Sequence, residues 1–337
     1  MERSTHFIGQ SSNFLDAVER ASRAAPLNRP VLVIGERGTG KELIAERLHH
    51  LSSRWAGPHV VLNCAALPET LIEAELFGHE AGAFTGATRA RVGRFEEADG
   101  GTLFLDELAT LSAAAQDRLL RAVEYGEVTR IGASRPVTVD VRIVAATNEH
   151  LPGLVEQGRF RADLLDRLSF EVVTLPPLRA RRSDIPLLAE HFARRMAAEL
   201  EWPRFPGFTD EAAARLQEYD WPGNVRELRN VVERAVYRWE DPERPVGAIE
   251  FDPFASPWVA RLAAPSRDAK APEAPPPAAL QAPPNFKQSV EAHERSLLVA
   301  ALEAHRYNQR AAAAALELSY DQLRHALRRH KLLDRAT

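Results

Sequence analysis

The sequence predicts a parallel α/β sheet with helices on both faces, a helical subdomain after it, and a separate helix-turn-helix at the C-terminal end. Three observations carry this. Five short apolar runs, at 31–34, 59–62, 102–105, 141–145 and 170–175, alternate with amphipathic stretches, the pattern of strands buried on both faces. After Pro176 and Pro177 the strand signals stop and helical spacing takes over. Between 265 and 284, seven prolines and six alanines fill twenty positions. Such a stretch cannot bury enough apolar surface to offset its ordering entropy and reads as an extended linker. The expected units are 1–176, 177–252, a linker over 253–285, and 286–337.

Composition narrows the class. At roughly 150 residues per domain, a 337-residue chain holds about two folded units. Its single cysteine, Cys64, excludes an intramolecular disulfide framework. Arg3, Asp16, Glu19 and Arg20 interrupt any leader-like apolar run. Runs such as VLVI at 31–34 fall far short of the ~20 residues of a membrane helix. A soluble, cytoplasmic protein is expected. The net charge of −4 divides unevenly: 285–337 carries +3 and four histidines, and the remainder −7. Nucleic acid is thus a candidate partner for the C-terminal end only.

The first strand, at 31–34, runs into Gly35-Glu36-Arg37-Gly38-Thr39-Gly40-Lys41 and then a helix over 41–52. This G-x4-G-K string lets backbone N–H groups face phosphate oxygens at a helix start, with Lys41 reaching the β/γ-phosphates. Glu42 replaces the Ser/Thr hydroxyl that usually ligates Mg²⁺. The strand at 102–105 ends in Asp106 and Glu107. Asp106 is the candidate Mg²⁺ ligand and Glu107 the group that polarises an attacking water. Asn63, ending the strand at 59–62, is either a turn residue or a hydrogen-bond partner that restrains Glu107. Between these strands lies Gly78-His79-Glu80-Ala81-Gly82-Ala83-Phe84-Thr85-Gly86-Ala87, with neither helical nor strand periodicity. Glycines flank Phe84 and Thr85, so the loop is either a mobile aromatic tip or an Ω-loop anchored by a buried Phe.

The helix over 113–124 and the strand at 141–145 continue the alternation. Helices over 183–200, 209–219 and 225–239 make the second unit. Beyond the linker, 286–304 is amphipathic, Asn308 caps an Ala-rich helix over 309–316, a turn follows at Glu317-Leu318, and Ser319 caps a helix over 320–330. Arg324, Arg328, Arg329 and Lys331 crowd that last helix. Either it enters a major groove, with Ser319, Tyr320, Gln322 and Arg324 near the bases and Arg328 and Arg329 on phosphates, or the piece is a small dimerisation bundle.

The strings GERGTGKE, ELFGHEAGAF, GAFTGA, GGTLFLDE, FRADLLDRL and WPGNVREL resemble the AAA+ activators of sigma-54 RNA polymerase, almost continuously over 7–240. The resemblance implies an AAA+ P-loop ATPase that uses ATP and Mg²⁺, with a helical lid and a Fis-type helix-turn-helix. It implies a homo-oligomeric ring, commonly a hexamer, that remodels the closed promoter complex while bound to double-stranded enhancer DNA. Gly82, Ala83, Phe84, Thr85, Gly86 and Ala87 would engage sigma-54. Glu42 is then the residue usual at its position, and Asn63 couples Glu107 to the nucleotide state. Thr147 and Asn148 sense the γ-phosphate, Arg226 reaches the nucleotide from the lid, and Arg161 and Arg167 reach a neighbour's ATP. Taken alone, Arg161 and Arg167 sit among Asp163 and Asp166 and read first as surface ion pairs. Arg130 matches a second loop near the ring pore. Lys41 lies so close to the start that no receiver domain is expected before it, as in members of the phage-shock type. That implies a PspA-like negative regulator, for which Trp55, in a turn-like segment, is the candidate contact. The competing functions are another P-loop remodelling ATPase, disfavoured by GAFTGA, and a DNA-binding repressor with a structural nucleotide site, disfavoured by Glu107. Glycine is usual at the turn position of Glu317, where φ > 0 costs another residue roughly 1 kcal/mol.

Overall fold

The computed structural model describes residues 7–84, 86–254, 286–305, 308–316, 318–330 and 332. Thr85, Glu317, Lys331 and nearly all of the expected linker therefore lie outside the described residues. The chain divides into two compact units, Met1–Ala255 and Ser256–Thr337.

The first unit opens with α1 (Ser12–Ala24), β1 (Val31–Ile34), α2 (Lys41–His50), β2 (His59–Asn63), α3 (Glu69–Phe77), α4 (Arg94–Glu97) and β3 (Thr102–Asp106). It continues through α5 (Ala113–Tyr125), a short hairpin of β4 (Glu127–Val128) and β5 (Val137–Thr138), β6 (Arg142–Thr147), α6 (Leu151–Glu156), α7 (Ala162–Leu168) and β7 (Glu171–Thr174). The five long strands form one parallel sheet ordered β2-β3-β6-β1-β7. Every residue of β6 is buried, as continuous apolar strands in a doubly covered sheet require. Leu103, Leu105 and Ile143 pack with α5 and α7 on one face, while Val33, Phe104 and Val144 pack with α1 and α2 on the other.

Three strands run past their apolar cores to end at Asn63, Asp106 and Thr147. The register sets Asn63 opposite Asp106 and Ile34 opposite Thr147, so the polar ends gather at one edge, where ligands of open parallel sheets bind. The last strand begins at Glu171, not at 170. Phe170 is half exposed beneath the Arg29 guanidinium.

Arg142, on β6, is buried without a carboxylate partner among the described residues. Its guanidinium donates to Ala24 O (3.0 Å), Ala25 O (2.7 Å) and Leu48 O (3.2 Å). These carbonyls end α1 and α2, where helix dipoles present negative charge. Burial pulls the Arg142 pKa down to about 10, which leaves it cationic at neutral pH. Arg142→Leu is expected to orphan these carbonyls at a cost of about 3 kcal/mol. Thermal unfolding should then fall by roughly 5–10 °C, and an unchanged midpoint would refute this role.

Helices α8 (Ile185–Glu199), α9 (Asp210–Glu218) and α10 (Asn224–Tyr237) complete this unit. They close around Trp221, fully buried, whose Nε1 donates to Leu216 O at 2.8 Å. The expected helix over 183–200 starts instead with a 3-10 turn at Arg182–Asp184.

In the second unit α11 (Phe286–Ala304), α12 (Gln309–Ala315) and α13 (Tyr320–Arg329) pack around Leu298, Leu302, Ala312, Leu323 and Leu327. Asn308 Oδ1 accepts from the Arg310 and Ala311 N–H groups, capping α12. At α13, Ser319 Oγ accepts from Gln322 N and Gln322 Oε1 accepts from Ser319 N, a reciprocal capping box.

Candidate nucleotide site and its loops

The loop after β1 is shaped by its glycines. Gly38 and Gly40 hold φ of 78° and 101°, and a Cβ on Gly38 would fall 2.3 Å from Gly223 O. Gly40 also starts α2, so the loop's N–H groups lead into a helix N-terminus suited to phosphate. Lys41 is buried and its Nζ donates to Gly35 O at 3.0 Å and Glu36 O at 3.4 Å. Burial lowers the Lys41 pKa, against the pull of Asp106 and Glu107. Thr39 Oγ1 donates to Glu36 O. Glu42 is exposed in the first turn of α2.

The lid helices close on this loop through residues that sequence reasoning missed. Asn224, buried at φ 53°, accepts from Leu178 N through Oδ1 and donates through Nδ2 to Glu36 and to Arg37 O. Val225 N donates to Gly38 O. Arg179 forks onto Glu36 at 2.5 and 2.8 Å. That bond, then Asn224, draws the Glu36 carboxyl down to about 2. The Glu36 carboxylate therefore joins loop to lid. Arg226 lies beside Gly38. Asn224 stands within the WPGNVREL string, but nothing in its local pattern marked it as buried.

At the strand ends, Asp106 Oδ1 accepts from Glu107 N at 2.9 Å, and Oδ2 lies 3.4 Å from Asn63 Nδ2. The expected bond from Asn63 to Glu107 is thus replaced by one to Asp106. The reason is register: Asn63 and Asp106 are paired across adjacent strands, while Glu107 turns away at φ 54°. The Glu107 carboxylate instead faces Arg37 Nε at 3.4 Å. Thr147 is buried, its Oγ1 accepting from Glu149 N, and Asn148 is the exposed member of that pair. Arg161 pairs with Asp163 at 2.7 Å and Asp117 at 3.2 Å, and Arg167 with Glu124 at 2.7 Å. Within one subunit both are surface ion pairs.

The long loop leaves the body beside Arg91 and Ile131, to which His79 and Glu80 are hydrogen-bonded. Gly82 and Gly86 have φ of 79° and 102° in open space. Phe84 is 38% exposed and rests edge-on against His79, ring centroids 5.0 Å apart. The tip is neither fully free nor a buried anchor. Gly82 N donates to Ala87 O, and Ala87 N to Phe84 O, closing the loop on itself. Arg130 bonds Glu96 at 2.7 Å and Glu80 at 3.1 Å, joining a second loop to the base of the first. Trp55 stands 66% exposed on a turn of the same unit.

In the helix-turn-helix, the Ser319 and Gln322 side-chain oxygens each accept from the other's backbone N–H. Arg329 is paired with Glu294 on α11. Tyr320 is exposed beneath Arg310, its hydroxyl 3.5 Å from Gln309. Arg324 and Arg328 are exposed and make no ion pair among the described residues.

A glycine-cradled lysine, two strand-end carboxylates and a lid that closes on the phosphate loop define an AAA+ ATPase; the added loop and Fis-type tail narrow the class. Family models for the "Sigma-54 interaction domain", the "AAA+ ATPase lid domain" and the "Bacterial regulatory protein, Fis family" match residues 7–174, 179–246 and 289–330. The chain belongs to the sigma-54-dependent transcriptional activators: it is an ATP-hydrolysing activator that interacts with sigma-54 and binds DNA. It is 52% identical over 331 residues to the Psp operon transcriptional activator of Escherichia coli K12, covering 98% of this chain and 99% of that one. It is also 53% identical over 229 residues to the transcriptional regulatory protein ZraR of Salmonella typhimurium, 68% of this chain and 52% of that one. Among solved structures, NtrX from Brucella abortus in complex with ATP is similar at a TM-score of 0.68 and 31% identity, over 98% of this chain and 70% of that chain. Among the described residues no helix is long and apolar enough to cross a membrane.

Proposed function

We propose that this protein opens sigma-54 promoters of a phage-shock operon, working in the cytoplasm as a ring, commonly hexameric, tethered to upstream enhancer DNA. The observation that carries the reading is one body holding both the Lys41–Asp106–Glu107 site and a glycine-hinged aromatic loop. Near-full-length similarity to a Psp operon activator supports the operon assignment.

In this mechanism the N–H groups of Gly35 to Lys41 cradle the phosphates and the Lys41 ammonium meets their charge. Asp106 would hold Mg²⁺, which would supply neutralisation of phosphate charge. Glu107 accepts the proton of the attacking water. Asn63, Thr147 and Asn148 read the γ-phosphate, Asn63 through the Asp106 carboxylate it touches. Arg161 and Arg167 exchange their in-subunit carboxylates for a neighbour's nucleotide as the ring forms, an arrangement in which arginine meets transition-state charge only after assembly. Arg226 contributes from the lid. Phe84 and Thr85 engage sigma-54, with Phe84 lifting off His79. Trp55 is the exposed contact for a PspA-like negative regulator.

Permanganate footprinting of a sigma-54 promoter with purified protein tests this reading. The expected outcome is thymine reactivity at the start site with ATP and none with a non-hydrolysable analogue. ATP turnover without opening on any sigma-54 promoter would mean another client. Arg324→Ala and Arg328→Ala are each expected to reduce the slope of log K against log salt for enhancer DNA by about 1. An unchanged slope would remove these residues from the phosphate contacts.

A further inference from the structure

We infer that Arg37, inside the phosphate loop, is the positioning residue for Glu107. The inference rests on Glu107 being the hydrolytic carboxylate. Three observations meet here. Glu107 sits at φ 54°, a left-handed conformation for a non-glycine residue immediately after the strand, so its side chain leaves the line of β3 and is not directed by the sheet register. Its carboxylate makes one ion pair among the described residues, with Arg37 Nε 3.4 Å from Oε1, and acts on the Lys41 ammonium only at longer range. Asn63, the residue expected to restrain it, is engaged with Asp106 and with Ala65 N. The carboxylate is largely enclosed, at 14% exposed, and the Arg37 side chain is 71% exposed.

The placement of Arg37 also couples it to the lid. Its carbonyl accepts from Asn224 Nδ2 at 3.0 Å, and the neighbouring Glu36 is gripped by Arg179 and Asn224. The backbone at 37 is thus fixed by the lid while its side chain reaches across the mouth of the site to Glu107. Lid closure on the phosphate loop sets the origin from which Arg37 holds the carboxylate. Arg37 need not touch nucleotide to act. It fixes where the base stands, and a carboxylate off its line to water loses rate without loss of binding.

Steady-state turnover and the affinity for a fluorescent ATP analogue, measured on the full chain, separate the possibilities. Arg37→Ser is expected to lower kcat about tenfold with nucleotide affinity changed less than twofold, and Arg37→Lys to keep at least a third of kcat. In a Glu107→Gln background, single-turnover hydrolysis should be insensitive to Arg37→Ser, because the carboxylate it acts through is gone. Weakened nucleotide affinity with kcat intact would make Arg37 a phosphate ligand and overturn the inference. So would an unchanged kcat, or a loss that persists in the Glu107→Gln background. A thermal midpoint within 2–3 °C of wild type, about 1 kcal/mol for a unit of this size, separates these effects from misfolding. Failure of the underlying reading is distinct, since Glu107→Gln alone would then retain turnover.

Discussion

Glu107→Gln is expected to bind ATP with near-native affinity and to hydrolyse it at least ~100-fold more slowly, the lower end of what a positioned general base contributes. The two side chains are nearly isosteric, so packing and the left-handed turn at 107 are kept. What is lost is the capacity to take a proton from water. The groups that hold phosphate are untouched: Lys41 is fixed by Gly35 O and Glu36 O, and the glycine loop is fixed by Gly223, Asn224 and Val225. Asp106→Ala should behave differently. It removes the acceptor for both Glu107 N and Asn63 Nδ2, so geometry and metal affinity fail together and nucleotide binding becomes Mg²⁺-independent. Equilibrium binding and phosphate release, measured in parallel on both variants, check the distinction. Normal turnover by Glu107→Gln would remove Glu107 as the base.

The sheet was legible because its strands are continuous apolar runs whose length and spacing have one good solution, and the site because phosphate chemistry needs glycine, lysine and acid at fixed places along such strands. Less visible were contacts that join distant segments through single polar side chains. Asn224 reaches Leu178 and Arg37 across sequence separations of 46 and 187 residues, and no local periodicity encodes that. The same applies to Arg142, which reads as a charged interruption of an apolar strand yet closes two helix ends. That Asn63 meets Asp106 and not Glu107 has a subtler reason. The sequence places Asp106 and Glu107 side by side, but which carboxylate faces β2 depends on the backbone turn at 107, a feature of φ rather than of residue order. In the C-terminal unit, Ser319 and Gln322 fit both a cap and a base contact. The helix start claims them first, since its N–H groups otherwise have no partner.

Thr85→Ala should leave ATP turnover within about twofold of wild type and reduce promoter opening to background. The loop is structurally separate from the chemistry: its base is held by His79, Glu80, Arg91 and Ile131, and none of these touches Lys41, Asp106 or Glu107. Removing one hydroxyl and one methyl from its tip therefore changes no group that contacts the hydrolytic residues. The connection between them is indirect. Arg130 clamps Glu80 at the loop base to Glu96 on α4, and α4 is followed within a few residues by β3, whose far end carries Asp106 and Glu107. The loop base and α4 are thus joined by the Arg130 ion pairs, and glycines at 82 and 86 hold positive φ on either side of the tip. A threonine carries one hydroxyl and one methyl, enough to grip another protein and too little to stabilise its own. Phe84→Leu should also disable opening, and it additionally loses the edge contact to His79, so its loop should be more open to proteolysis at rest. Permanganate reactivity with phosphate release on the same samples decides the matter. Opening retained by Thr85→Ala would place the sigma-54 contact elsewhere on the protein, and a collapse of ATP turnover would show that the loop feeds back on the site.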